Sequence, residues 1–558
     1  MCTRAKMQLT KIFTAFIFCI QLSIAQNVTH ERLYDPLTAT IASTHALLYT
    51  SSISCHSIIS SHLSMISSLN PTINAISALD PNSLSHAATV DDQLSSSTFT
   101  PGPLTCIPVL LKDSFDSPPL ATTAGSAALA DLHPRVAAPV VKALTDAGAI
   151  VIGKANMHEL ALEGLTLSSF GGQTLNPFAL ERSPGGSSGG SGAGLAAGFA
   201  IIATGSDTVN SLRSPASAGG LVSIRATRGL ISRNGVVPVS FTQDVVGPMA
   251  RSVKDVAIVL GAMANVGYDE ADNATALVPE GVRGTDYTRD LVQGDLQGLR
   301  LGVLEGFLDR SGKEETDQVN VVMDAMIDTL KHAGVEIVMI EDKVYNANAI
   351  LAKYDVQRYE YRESLEEYLQ RTDLEGDFPK TMKDIYQRDD FVVIPPQYEY
   401  VKTALRSSTG NDTYPAAMQN IAALKETLQQ TFEINKLDAI IYPQQKNLVV
   451  KIGTPSQHGR NGILAAVTGS PVVAVPAGFS PASDSSDGLP IGMEILGQPW
   501  TEAKLLQIAY QVEHLVPKRS PSIARSVLPV DDVSEVPRLK PNSQNIHATY
   551  PQGVLSSS

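Results

Sequence analysis

Positive charge is in short supply in this sequence: 42 lysines and arginines stand against 56 aspartates and glutamates, for a formal net charge of −14. That balance argues against a nucleic-acid partner held through its phosphates. Cysteine is scarce too, with four in 558 residues, and no Cys/His spacing suits a metal ion, so neither metal nor cofactor is expected. A stable membrane span is lacking. The apolar run Ile12 to Ala25 is broken by Thr14, Gln21 and Ser23 and falls short of the ~20 residues that cross a bilayer. No Gly-Lys-Ser/Thr follows the densest glycines, which excludes a P-loop. No internal repeat is found.

What is present begins with a targeting signal. Arg4, Lys6 and Lys11 precede the apolar run, and Ser23-Ile24-Ala25 puts small residues at the alternate positions that a signal peptidase needs. Secretion with cleavage after Ala25 is expected, in preference to an anchor. Cys2 and Cys19 would leave with the signal, and Cys55 and Cys106 would remain, either as a disulfide or as two buried thiols. In that compartment Asn27-Val-Thr, Asn273-Ala-Thr and Asn411-Asp-Thr become candidate glycosylation sites.

The rest has globular composition, 43% hydrophobic and 18% charged. Helical spacing is read around Leu37 to Ile53 and Ile58 to Leu69, and a buried strand in Cys106 to Lys112. Pro139 opens a helix that Gly148 stops before the strand Ala149 to Ile152. Leu299 to Leu304, the stripe Val319 to Leu330 and Val335 to Ile340 read as strand, helix, strand. Further strands are expected at Leu437 to Tyr442 and Pro471 to Val475, and a helix capped by Thr501. This alternation is α/β grammar. Trp500 and Cys106 read as core. Residues 268–435 are the least informative, and 528–558 are expected to be a loose tail.

The chemistry concentrates between Ser183 and Pro215, in Ser-Pro-Gly-Gly-Ser-Ser-Gly-Gly-Ser-Gly-Ala-Gly and Gly205-Ser-Asp-Thr-Val-Asn-Ser-Leu-Arg-Ser-Pro215. So many glycines are costly to order and imply close approach of backbone to something. Ser187, Ser188 and Ser211 supply hydroxyls. The G-x-S-x-G pattern around Ser187 and Ser188 needs a strand before it, yet Asn176 to Pro184 carries two prolines and reads as a loop. Gly192-Ala-Gly194-Leu-Ala-Ala197 fails as a dinucleotide fingerprint for the same reason.

Lys112 after its strand, Ser187 in the double-glycine frame and Ser211 in Asp207-Thr-Val-Asn-Ser-Leu-Arg213 together resemble the amidase signature family. Thr122 to Ser126, Gly153 to Glu159, Thr227 to Arg233, Thr468 to Pro476 and Leu489 to Gly497 carry the likeness further, and the chain resembles secreted fungal-type members. The resemblance implies a three-layer α/β/α sandwich around a large mixed sheet. The amidase domain would run over residues 26–527, with a signature core at about 105–260 and a C-terminal core at about 437–515. It also implies a Ser-cis-Ser-Lys set with Ser211 as nucleophile, Ser187 as bridging serine on a cis Gly186–Ser187 bond, and Lys112 as terminal base.

The family's oxyanion donors correspond to the backbone N–H groups of Thr208, Val209, Asn210 and Ser211, with Ser188, Asp207 and Arg213 in support. His158 reads as a packed histidine. Two departures stand out. Val209 and Asn210 occupy positions where the family commonly has two glycines, and Lys112-Asp-Ser114 replaces Lys-Asp-Asn. The activity implied is hydrolysis of a small-molecule amide. Its rivals are an esterase on the same site, an amidotransferase subunit, and a catalytically silent secreted binding protein.

Overall fold

In the computed structural model, which describes residues 33–294, 296–481, 487–530, 532–553 and 555, eleven short apolar runs pair into one mixed sheet. They are β1 (Ile76–Leu79), β2 (Pro108–Lys112), β3 (Ile150–Ala155), β4 (Ile202–Asp207), β5 (Val222–Arg225), β6 (Val245–Ala250), β7 (Arg300–Leu304), β8 (Glu336–Ile340), β9 (Ala439–Pro443), β10 (Val472–Phe479) and β11 (Pro490–Leu496). Their order across the sheet is β1-β3-β2-β4-β6-β5-β10-β11-β9-β7-β8. β2 lies parallel between β3 and β4, and β7 parallel between β8 and β9, while the strands between these groups run antiparallel. The chain divides into residues 1–35 and 36–558, and the described strands and helices all lie in the second unit. The signal, its cleavage site and the sequon at Asn27 lie outside the described residues.

Why these runs become central strands is plain from their burial. Every residue of β2, β3 and β4 is buried, so their sequences are continuous rather than alternating. The helices follow from caps and stripes. Ser54 caps Cys55–Ile73 by accepting from the Ser57 N–H, and Pro139 takes the first turn of Pro139–Asp146. Glu314–His332 links the parallel β7 and β8, with acids in its first turn and Lys331 and His332 in its last, an arrangement that suits the helix dipole. The expected strand, helix, strand unit is therefore present.

Three expectations need correction. Residues 528–558 are not a loose tail throughout. Tyr550 is buried among Leu165, Leu167, Val392, Ile394 and Val450. Its hydroxyl accepts from the Gly453 N–H at 2.9 Å and donates to the Thr454 carbonyl at 2.9 Å, and the Asn545 carbonyl accepts from the Gln173 N–H. Single anchors of this kind leave no periodicity in a sequence. Trp500 is only half-buried, at φ +66° after Pro499, so it is a turn residue rather than core. Thr501 sits at the N-cap of Glu502–Glu513, but its hydroxyl donates to the Gln498 carbonyl instead of capping the helix.

Cys55 and Cys106 form a disulfide, which ties the start of helix Cys55–Ile73 to the entry of β2. The bond closes a loop of 51 residues, for which chain entropy gives about 4 kcal/mol of stabilisation. The Cys55→Ala/Cys106→Ala protein is therefore expected to show a lower urea midpoint, with an m-value that rises as the uncross-linked denatured chain exposes more surface. An unchanged midpoint would count against a stabilising bridge.

Candidate active site

The site forms where β2 and β4 end side by side. Both strands are parallel there, and the Lys112 N–H donates to Thr204 Oγ1 at 3.1 Å. Lys112 is 0% exposed. Its Nζ donates to Ser187 Oγ at 2.7 Å and to Ser206 Oγ at 2.7 Å. Burial pushes this amine down to about 7, against the opposing pull of Asp207 and Asp244. A lysine held so is part neutral near neutral pH and has a lone pair to accept a proton.

Ser187 follows a cis Gly186–Ser187 peptide bond. Its carbonyl accepts from the His158 N–H at 3.0 Å. The glycines around it permit close approach: a Cβ on Gly190 would fall 2.2 Å from the Asn156 carbonyl oxygen and 2.5 Å from that of Ala75. Helix Gly189–Ala196 starts here and is buried throughout. Ser188 links the two serine segments, since its N–H donates to the Ser211 carbonyl at 3.1 Å. Ser211 is 7% exposed.

The turn that carries Ser211 is braced from below by one carboxylate. Asp207 accepts from the N–H groups of Leu212 and Arg213, from Arg213 Nε at 3.1 Å and from Arg225 Nη1 at 2.8 Å. Burial opposes its charge, but Arg213 and Arg225 outweigh that and hold it at about 2. Arg213 also pairs with Glu494 and donates to the carbonyls of Val209 and Gly462. Thr208 Oγ1 donates to Asp244 at 2.6 Å. The N–H groups of Val209, Asn210 and Ser211 have no intramolecular acceptor among the described residues, and they lie in the wall of a cavity of about 300 Å³ that also contains Ser211. Neither Val209 nor Asn210 has a positive φ. Ordinary side chains therefore fit this turn without backbone strain.

Gly462 lets the turn itself come close. A Cβ there would lie 2.5 Å from the Val209 carbonyl oxygen, 2.7 Å from Asn210 Cβ and 2.9 Å from Arg213 Nη2. The far wall comes from residues 351–400, with Leu351, Asp355, Gln357, Gln397 and Tyr400, and from Arg460 and Ile463.

A buried lysine bonded to a serine on a cis peptide, beside a second serine in a turn of free N–H groups, is a hydrolytic arrangement. The family model for amidase matches residues 57–506. The chain belongs to the amidase family. One glutamyl-tRNA(Gln) amidotransferase subunit, from Thermoanaerobacter pseudethanolicus, is 32% identical over 501 residues, covering 85% of this chain and 96% of the relative. The native peptide amidase of Stenotrophomonas maltophilia superposes with a TM-score of 0.76 at 32% identity, over 87% of this chain and 98% of that one. An amidase family protein of Bacillus anthracis gives a TM-score of 0.73 at 27% identity, over 87% and 93%. This amidase is an enzyme that hydrolyses amide C–N bonds, and its large mixed sheet is the family fold.

Lys112, Ser187, Ser188, Asp207 to Ser211 and Arg213 thus converge on one place. Asn273 and Asn411 are exposed on the surface, as their sequons require, but the Thr275 hydroxyl is buried and bonded to the Asp272 carbonyl. His158 is buried in a hydrogen-bonded setting, and burial together with nearby Arg460 and Lys112 pushes it down to about 3. It is neutral and packed. Ser114 replaces the family's asparagine with a hydroxyl that is buried without a partner.

Ser206 escapes sequence reasoning, although it stands next to Asp207 in the same motif. The wall residues Asp355, Gln397 and Arg460 have no motif to mark them.

Two outcomes follow from this geometry. Lys112 must be uncharged to accept a proton, so kcat/KM is expected to rise with pH through about 7 and then level. Lys112→Arg stays charged and is expected to lose about 10²- to 10⁴-fold; a flat profile from pH 5 to 9 would contradict the role. Gly462→Ala pushes on the Ser211 turn and is expected to lower kcat/KM by on the order of 10²-fold, with the melting temperature showing whether the fold survives.

Proposed function

We propose that Ser211 forms the acyl-enzyme with a small-molecule amide, with Ser187 and Lys112 as its proton relay. The observation that carries this reading is the hydrogen bond from a fully buried, part-neutral Lys112 to Ser187. Ser211 Oγ attacks the carbonyl carbon, its proton passes to Ser187, and the Ser187 proton passes to the Lys112 lone pair. The N–H groups of Thr208, Val209, Asn210 and Ser211 receive the oxyanion. On collapse the C–N bond breaks, the relay runs backwards, and the leaving nitrogen departs as ammonia or an amine. Water activated by the same relay then releases the acid. The ordinary backbone at Val209 and Asn210 speaks for a working turn and against a silent binding protein.

The protein is further proposed to be secreted after cleavage at Ala25, like the fungal-type members it resembles. The Cys55–Cys106 disulfide supports this, because such bonds persist in oxidising compartments. An export route argues against service in an amidotransferase complex with cytosolic partners.

Incubation with a serine-directed phosphonate is expected to add one adduct, mapped by mass spectrometry to Ser211. Ser211→Ala should abolish both the adduct and ammonia release, and Ser187→Ala should lower kcat by about 10²- to 10⁴-fold. An adduct that persists in Ser211→Ala would overturn the assignment. N-terminal sequencing of protein from the medium of an exporting host is expected to start at Gln26.

A further inference from the structure

The cavity above Ser211 contains two carboxylates, and they differ in their company. Glu163 is answered by Arg460 at 3.1 Å and accepts from the Ser456 hydroxyl. Asp355, half-buried, is not answered in this way. Its Oδ1 accepts from the Gln357 N–H at 3.1 Å and from Gln357 Nε2 at 2.8 Å, and no salt bridge reaches it among the described residues. Arg358 is turned away, donating to Tyr359 Oη and lying over that ring at 4.8 Å. Burial pushes the Asp355 carboxyl up, with Gln357 and Arg358 opposing. A carboxylate partly drawn out of water, with Arg358 acting on it only through space, still gains from a cation that reaches it directly.

Its position is fixed with respect to the chemistry. Gln243 Oε1 accepts from the Val356 N–H at 3.0 Å, while Gln243 Nε2 donates to the Thr208 carbonyl at 3.5 Å. One side chain thus ties the Asp355 segment to the turn that carries Ser211. The same cavity is lined by the apolar Leu351, Pro396, Ile463 and Val209 and by Tyr400, whose hydroxyl has no partner. An ammonium on a short apolar stem fits these surroundings, with the carboxylate as its anion and the aromatic face as a second attraction.

We propose that Asp355 anchors a cationic group at the acyl end of the substrate, so that the enzyme favours amides whose acyl part ends in a free ammonium. The inference rests on the hydrolase reading of Ser211 and adds to it the substrate class. At about 300 Å³ the cavity is at the small end for organic ligands, and a short acyl group such as that of a dipeptide amide matches it better than a long alkyl chain.

The test compares glycyl-leucinamide with acetyl-leucinamide, which differ only in the terminal ammonium, on the full-length protein and on Asp355→Asn. Wild type is expected to favour the glycyl compound by about tenfold or more in kcat/KM, the size of one charge-assisted contact. Most of the difference should appear in KM. Asp355→Asn should lose this preference, with kcat/KM for the glycyl compound falling by about that factor more than for the acetyl compound. Equal kcat/KM for the two amides in wild type, or an equal fall for both in Asp355→Asn, would overturn the proposal. Should the variant fail to fold, the wild-type ratio decides alone. Turnover of neither amide, together with no phosphonate adduct on Ser211, would overturn the hydrolase reading and this inference with it.

Discussion

Everything at this site depends on a lysine amine kept dry without a carboxylate beside it. Two buried lysines stand near each other at the ends of adjacent strands, and their partners separate them. Lys154 reaches Asp113 at 3.5 Å and the Ala121 carbonyl at 3.1 Å, so its charge is answered. Lys112 meets only two hydroxyls, which accept from an ammonium but do not neutralise it. A charge so placed is poorly solvated, and the neutral form gains by comparison. The same burial that a structural lysine tolerates through an ion pair becomes, for Lys112, a source of basicity near neutral pH.

That dryness has to coexist with a turn that holds developing negative charge. The fold manages this by separating the two by sign and by layer. Asp207 lies beneath the turn and is overcompensated by Arg213 and Arg225, both fully buried. The surplus cationic charge is carried on to Glu494, and Arg213 also grips the carbonyls of Val209 and Gly462. The first of those contacts holds the Val209 carbonyl of the loop toward the buried arginine. The N–H groups of Val209, Asn210 and Ser211 are without acceptors of their own among the described residues, as oxyanion stabilisation demands.

Much of this was legible in the sequence, for identifiable reasons. Buried central strands such as Pro108–Lys112 and Ala439–Pro443 are continuous apolar runs between turn signals, and helices such as Pro139–Asp146 carry their own punctuation. Ser187, Ser211 and Lys112, the residues proposed to carry the reaction, lie in dense local motifs, so resemblance pointed to them. What escaped was whatever is made by single contacts across long separations. Asp355 and Gln397 reach the cavity through the packing of helices whose sequences show only a core face, and Tyr550 returns from the far end of the chain to fill a gap beside Val392 and Ile394. β4 escaped for another reason: Ile202–Asp207 is rich in small residues, and a strand with so little side chain has no alternation to read.

The departure at Val209 and Asn210 also looks different once its surroundings are known. Two glycines in such a turn would supply backbone freedom, yet this turn has no left-handed residue and needs none. Gly462, at the start of helix Ile463–Thr468, lets this turn come close, since a Cβ there would meet the Val209 carbonyl oxygen and the Asn210 Cβ. The consequence is local: Val209 and Asn210 line the cavity beside Ser211, and the Lys112–Ser187 hydrogen bond lies apart from them. Substitutions at these positions change what the cavity presents beside Ser211, and the carboxylate of Asp355, which no salt bridge reaches among the described residues, lines the same cavity.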